Sequence, residues 1–193
     1  MVSTKGIKVG CCLTGSYCTF KRMVEVIEEL TDSGFEVFPM MSENAYKTDT
    51  RFGKAKDFVA EIEAITGKPV LASIEGVEPI GPKNFFDILL VAPCTGNTLS
   101  KLANGITDTA ATMAAKASLR NNIPVVINIS TNDGLSGSAK NLGLLLNTKN
   151  VYFVPLSQDD PVKKPTSLVA DFGQIKDTLI KALNGEQIEP LIF

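Results

Sequence analysis

Three short stretches of the chain place hydroxyls and small residues where an apolar run stops: Thr14-Gly15-Ser16, then Ser42, then Thr95-Gly96-Asn97-Thr98. Such turns suit oxyanions. A glycine lets backbone N–H groups approach a ligand, a hydroxyl adds a donor, and a helix start favours negative charge. Gly15-Ser16 serves equally well as a plain strand-to-helix turn with a serine cap. Asn97 likewise stabilises a turn as readily as it contacts a substrate. The larger nucleotide signatures are missing. Gly10 and Gly15 have the spacing of the two P-loop glycines, but Ser16-Tyr17 stands where Lys-Ser/Thr is required, so nothing bridges outer phosphates. No G-x-G-x-x-G follows the first apolar run, which removes the dinucleotide fingerprint. A mononucleotide is what remains.

The rest of the reactive inventory is sparse. The chain has no histidine, and so lacks the commonest general base, metal ligand and pH switch. Cys11, Cys12, Cys18 and Cys94 have neither the spacing of a disulfide framework nor that of a paired CxxC zinc site, which fits reduced thiols in the cytoplasm. Cys11, Cys12 and Cys94 read as buried and inert, and Cys18 as packing in a first helix turn. No metal site is expected. Asp108 reads as a helix cap rather than a base. Lys21, Arg22, Arg51 and Lys101 fall near expected loop ends and are the cations open to an anionic ligand.

The elements that must position these groups follow from periodicity. Ile7 to Leu13 is an apolar run suited to a buried parallel strand. Phe20, Met23, Ile27 and Leu30 then recur at helical spacing up to Gly34. Phe35 to Met41 predicts the second strand, Ala55 to Ile65 a helix stopped by Gly67, and Val70 to Ser73 a short strand. Phe86 to Ala92 is the strongest strand, with Pro93 ending it. A helix with Leu99 and Leu102, an Ala-rich helix from Ala110 to Leu119 and a strand from Pro124 to Ile129 follow. After the polar loop Ser130 to Gly137 come a helix with Leu142 and Leu146 and a last strand from Val151 to Leu156. A closing helix carries Leu168, Phe172, Ile175, Leu179 and Leu183 on one face. This alternation predicts a single α/β domain over residues 1–193, a doubly wound parallel sheet with helices on both faces. Ligands of such a sheet bind beyond the carboxyl ends of its strands.

Composition sets the outer limits. Hydrophobic residues are 44% and charged residues 21% of the 193, ordinary globular values. A net charge of −2 argues against a general nucleic-acid binder. No apolar run is long enough for a membrane span, and Met1 to Gly6 lack the apolar core of a signal peptide.

The segment Leu89 to Ala117 carries a more specific signal. Pro93, Thr95, Asn97, Thr98, Ala103, Gly105 and Asp108 match a Pro-Ala-Ser-Ala-Asn-Thr or Pro-Cys-Ser-x-x-Thr loop followed by an Ala-x-Gly-x-x-Asp turn. In this the chain resembles the flavoprotein superfamily of flavin-dependent cysteine decarboxylases, phosphopantothenoylcysteine decarboxylase and prenyl-FMN synthases. The resemblance covers most of residues 7 to 130, including Thr14-Gly15-Ser16 and Pro39-Met40-Met41-Ser42. It implies a Rossmann-like flavoprotein fold with FMN as cofactor. Gly15, Ser16 and Ser42 would hold phosphate and ribityl oxygens, Tyr17 would join them in the cofactor site, and Thr95, Gly96, Asn97 and Thr98 would wrap the flavin. Asn97 would also contact the substrate. Flavin sites in this superfamily form at contacts between protomers, so a homo-oligomer is expected, with the Ala110–Ala115 stretch allowing close helix approach or else packing internally.

The whole chain, with its Cys12-Leu13-Thr14-Gly15-Ser16-Tyr17-Cys18-Thr19-Phe20-Lys21 opening, most resembles the flavoprotein-like subunits of a two-protein oxidoreductase of spore formation. That resemblance implies a partner protein with a nicotinamide-type Rossmann domain. Together the two would oxidise a small cyclic dicarboxylate, dihydrodipicolinate, to pyridine-2,6-dicarboxylate. The chain departs from the decarboxylases at two places. Their catalytic His-Ile pair falls on Pro79-Ile80, and their Pro-x-Met-Asn clamp is replaced by Ser130-Thr131-Asn132-Asp133-Gly134. The arginine-rich stretch of the prenyl-FMN synthases is missing from that same region. Three functions stay open: a redox subunit, an FMN-dependent decarboxylase or flavin-modifying enzyme, and a scaffold with a degenerate pocket. The missing histidine disfavours the second, and the intact Gly15-Ser16 and Thr95–Thr98 turns disfavour the third.

Overall fold

The computed structural model describes residues 4–82 and 85–193; Met1 to Ser3, where the sequence shows no signal-peptide core, lie outside them. In chain order the regular elements are β1 (Lys8–Leu13), α1 (Phe20–Asp32), β2 (Glu36–Met41), α2 (Glu43–Lys47), α3 (Ala55–Thr66), α4 (Ile74–Val77) and β3 (Ile88–Cys94). They continue with α5 (Gly96–Ala103), α6 (Ala110–Arg120), β4 (Val125–Thr131), α7 (Ala139–Leu146), β5 (Val151–Phe153), β6 (Leu156–Ser157), β7 (Leu168–Ala170) and α8 (Ile175–Leu183).

Strands β2, β1, β3, β4 and β5 pair in that order, all parallel. Every residue of β3 is buried, because helices cover both faces. That is why its sequence is a continuous apolar run rather than an alternation. α1 packs on α3, while α5 packs on α6 and α7, the two layers that right-handed crossovers require. Phe20, Met23, Ile27 and Leu30 of α1 are all buried, each contributing about 1.5–3 kcal/mol of apolar burial. Gly67 closes α3 at φ +64°, a left-handed cap that glycine adopts without strain.

Several expectations change in detail. Val70 to Ser73 is not a strand: Leu71 makes an isolated bridge to Met40. Pro93 does not end its strand; β3 runs on to Cys94, with a register break against β4 between Val91 and Cys94. A proline has no N–H for the ladder, and an interrupted register needs none there. Val151 to Leu156 is not one closing strand. β5 stops at Phe153, and β6 and β7 form an antiparallel pair joined to the end of β4 through Ser130 and Thr131. Leu168 therefore belongs to β7 rather than to the last helix, which begins at Ile175. The triplet Leu168-Val169-Ala170 is too short to show strand alternation. Finally, Ala110, Ala111, Ala114 and Ala115 are all buried within this chain, where α6 lies on β1 and β3. The small side chains serve internal helix–sheet packing.

Candidate functional site

The strand order β2-β1-β3-β4 has one reversal point. The chain leaves β1 for β2 on one side and returns to form β3 on the other, so the loops after β1 and β3 diverge and open a crevice. Thr14 fixes the distance between those loops. Its hydroxyl donates to the Pro93 carbonyl at 2.7 Å and accepts from the Thr95 N–H at 3.1 Å, and its own N–H donates to Pro93 O at 3.2 Å. Ser42, at the end of β2, is tied in by its N–H to Leu13 O at 2.9 Å. Its Oγ caps α2 by accepting from the Ala45 N–H at 3.4 Å.

A cleft of about 460 Å³ lies over these strand ends, lined by Gly15, Tyr17, Ser42, Thr95, Asn97 and Thr98 together with Glu43, Asn44, Lys101, Asp108 and Thr109. Six of the eight cofactor-binding candidates thus converge. Thr95 caps α5, its Oγ1 accepting from the Thr98 N–H at 3.2 Å; the cap is not Asn97, which is exposed at the cleft. The Tyr17 hydroxyl donates to Asn44 O at 3.1 Å and closes one wall. The remaining two candidates sit elsewhere. Ser16 faces a neighbouring cleft, its Oγ 2.8 Å from Ser130 Oγ. Gly96 is buried in the first turn of α5, where a Cβ would stand 2.6 Å from Asp133 Oδ1 and 2.8 Å from both Ser138 Oγ and Thr131 Oγ1. That residue is glycine because the turn after β4 presses against it.

The charged candidates divide in the same way. Lys101 lines the cleft and pairs with Asp108, Nζ to Oδ2 2.7 Å. The hydrogen bond from Lys101 holds the Asp108 carboxyl below its ordinary range. Asp108 is therefore an ion-pair partner, and Thr109 is the cap of α6 that the sequence had suggested for Asp108. Arg22 lies at the neighbouring cleft, Arg51 stacks on Phe52 at 4.8 Å, and Lys21 is exposed on α1. Burial pushes the Cys11 thiol up to about 12 and those of Cys12 and Cys94 well above the ordinary range; Cys18 is exposed. Among the described residues no three metal-ligating side chains converge.

Pro79, where the decarboxylases carry histidine, lines a small apolar pocket with Ile80, Phe38, Leu71, Phe85 and Phe86. Phe86 lies just before β3, so this position is toward the amino end of that strand, away from Thr95–Thr98 of the same chain. Sequence reasoning missed Asp159 and Lys164, which the β6–β7 connection brings to the second cleft. The paired charges in Gln158-Asp159-Asp160 and Lys163-Lys164 were the available signal.

A crevice at a strand-order reversal, lined by hydroxyls and bounded by a glycine turn and a threonine-capped helix, stands where open α/β sheets bind their ligands. The flavoprotein family model matches residues 2–180, and the chain belongs to that family. Within it the chain is similar from end to end to the B subunit of dipicolinate synthase from Bacillus subtilis (strain 168). Identity is 47% over 192 residues, covering 100% of this chain and 96% of the relative. The crystal structure of the dipicolinate synthase B subunit from Bacillus halodurans matches with a TM-score of 0.91 at 42% identity, covering 100% of this chain and 98% of that one. The FMN-dependent cysteine decarboxylase SpaF shares the fold, with a TM-score of 0.68 at 22% identity over 91% of this chain and 97% of its own.

Proposed function

We propose that the chain is the FMN-binding subunit of a two-protein oxidoreductase that, with the A subunit of dipicolinate synthase, converts dihydrodipicolinate to dipicolinate during spore formation. The observation that carries this reading is the hydroxyl-lined cleft at the β1/β3 reversal, in a chain similar over its full length to the dipicolinate synthase B subunit. The residues present fit a flavin mononucleotide. Gly15 has no neighbour closer than the Tyr17 ring, 3.7 Å from where a Cβ would stand, so its backbone is open to a ligand. Ser42, Thr95 and Thr98 supply hydroxyls. Gly15, Tyr17 and Ser42 would line the phosphate and ribityl end of the cofactor, and Thr95, Asn97 and Thr98 the ring.

When bound, FMN supplies a hydride acceptor that no side chain can provide. The protein's own part is position and charge. Asn97, exposed at the cleft, orients the substrate. Asp108 is held ionised by Lys101, so it keeps a negative charge at the cleft edge rather than carrying a proton. With no histidine in the chain, the proton released on aromatisation passes to the partner protein or to water. The decarboxylase reading loses its acid–base residue at Pro79, which sits among apolar side chains.

Titration of the purified chain with FMN and riboflavin tests the cofactor assignment. Bound-flavin absorbance with FMN strongly preferred is the expected result. Equal affinity for riboflavin would remove the phosphate role of Gly15 and Ser42.

A further inference from the structure

Charge is unevenly shared out over this chain. As a whole it has more carboxylates than cations, 21 to 19. Between Cys94 and Gln158 the balance reverses, with Lys101, Lys116, Arg120, Lys140 and Lys149 against Asp108 and Asp133. Both carboxylates are already engaged, Asp108 by Lys101 and Asp133 by the hydroxyls of Thr131 and Ser138. Lys116, Arg120, Lys140 and Lys149 are exposed, and among the described residues none has a carboxylate partner. They stand on α6, on α7 and in the turn after α7, in the layer where α5 packs on both of those helices.

The same layer exposes apolar side chains. Ile106 is 47% exposed, Leu144 56% and Leu146 46%. A groove of about 310 Å³ lies between the end of α5 and α6, lined by Leu102, Ile106 and Leu119 together with Lys116 and Arg120. Asn104, two residues before Ile106, donates to Asn141 Oδ1 at 3.4 Å, and Leu144 follows Asn141 by one helical turn. Ile106 and Leu144 therefore come from adjoining parts of one surface. Clustered apolar groups framed by unpaired charges of one sign mark a face that another molecule covers.

We infer that the outer face of α5, α6 and α7 docks the partner protein of the reading above, through a surface on that protein that sets carboxylates around an apolar side chain. The inference rests on the two-protein reading and says where the second protein sits. A second copy of this chain fits the face poorly. A two-fold contact would bring Lys116, Arg120, Lys140 and Lys149 together with no free carboxylate between them. The chain's own acidic helices, with Glu25, Glu28 and Asp32 on α1 and Asp57 and Glu61 on α3, expose no large hydrophobic residue. They have nothing to seat in the groove. A lipid surface is flat, whereas a concave groove takes a protruding side chain. The face also adjoins the cofactor cleft. Ile106 falls between Lys101 and Asp108, the ion pair that lines that cleft. A protein seated on Ile106 stands at the cleft edge, where it can supply groups this chain lacks.

The test uses the full chain loaded with FMN and the purified nicotinamide-type partner, the A subunit of dipicolinate synthase, with affinity measured calorimetrically at low and at high salt. Leu144→Asp is expected to weaken association about tenfold or more. Lys140→Glu combined with Lys149→Glu is expected to weaken it about tenfold at low salt and to flatten its salt dependence. Glu28→Lys, on the acidic side of the molecule, is expected to leave it within about twofold. Every substituted side chain is exposed, and FMN affinity, read by absorbance, is expected to stay within about twofold in all variants. Unchanged partner affinity in both Leu144→Asp and the double variant would overturn the inference. So would variants that alter self-association by light scattering but not partner binding, which would make the face a contact between copies. Wild-type binding to phosphatidylglycerol vesicles, abolished in the variants while partner binding persists, would overturn it too. A wild-type chain that binds no partner at all would overturn the two-protein reading itself, and the docking face with it.

Discussion

Thr14 is bonded to Pro93 twice, through its N–H at 3.2 Å and its hydroxyl at 2.7 Å, both to the same carbonyl. This couples the carboxyl ends of β1 and β3 at the place where the sheet order reverses. The same hydroxyl oxygen takes the Thr95 N–H at 3.1 Å, so one buried side chain sets the spacing of the loops after β1 and β3. Thr14→Val keeps the shape and removes the hydroxyl, leaving the Thr95 N–H without its acceptor. A loss of about 1–3 kcal/mol in urea unfolding is expected, together with weaker flavin binding. Thr14→Ser restores the bonds and is expected to lose no more than about 1 kcal/mol, one methyl group.

Gly96 gives the second prediction. A methyl group there would press on Asp133, Ser138 and Thr131 at 2.6–2.8 Å. Those atoms are themselves fixed, Asp133 accepting from Thr131 Oγ1 at 2.5 Å and Ser138 Oγ at 3.0 Å. Gly96→Ala is expected to destabilise the fold by about 1–3 kcal/mol. It should also lower flavin affinity by displacing the first turn of α5, whereas Gly143→Ala, with open space around it, should leave affinity unchanged.

The thiols provide a pH test. In the native chain at neutral pH only Cys18, which is exposed, should react with iodoacetamide; all four cysteines should react in urea. Burial holds the Cys11 thiol at about 12, against an ordinary 9.0. A folded-state value raised above the unfolded one contributes stability that is complete below pH 9.0 and is lost as the pH climbs toward 12. Unfolding free energy should therefore fall from about pH 9 upward. A profile flat to about pH 11 would show that these thiols are not buried as described.

Much of this could be read in the residues. The parallel core was legible because strands covered on both faces must be continuous apolar runs, as Ile88 to Ala92 is. The three turns that line the cleft were legible because hydroxyls and glycine gather at the ends of apolar runs. What stayed hidden were relations between distant segments. Nothing near Ser16 in sequence shows that its hydroxyl meets Ser130, or that Lys164 arrives beside it. The β6–β7 pair was concealed because two- and three-residue strands carry no period, and Leu168 fell in phase with the helix that follows. Asp108 was misplaced by a single residue: Asp and Thr both suit a cap, and Thr109 takes it while Lys101 draws Asp108 away.

On the proposed reading this chain supplies a catalytic part that the nicotinamide-type protein lacks. Dipicolinate formation is followed by the ultraviolet absorbance of the pyridine ring, from enzymatically generated dihydrodipicolinate, with the chain alone, the nicotinamide-type partner alone, and both together. Little product is expected from either alone, and turnover from the mixture. In the mixture, Asn97→Ala should lower turnover roughly tenfold, the loss of one substrate-orienting contact, with bound FMN retained. The partner alone matching the mixture in rate would contradict the account and leave this chain a scaffold.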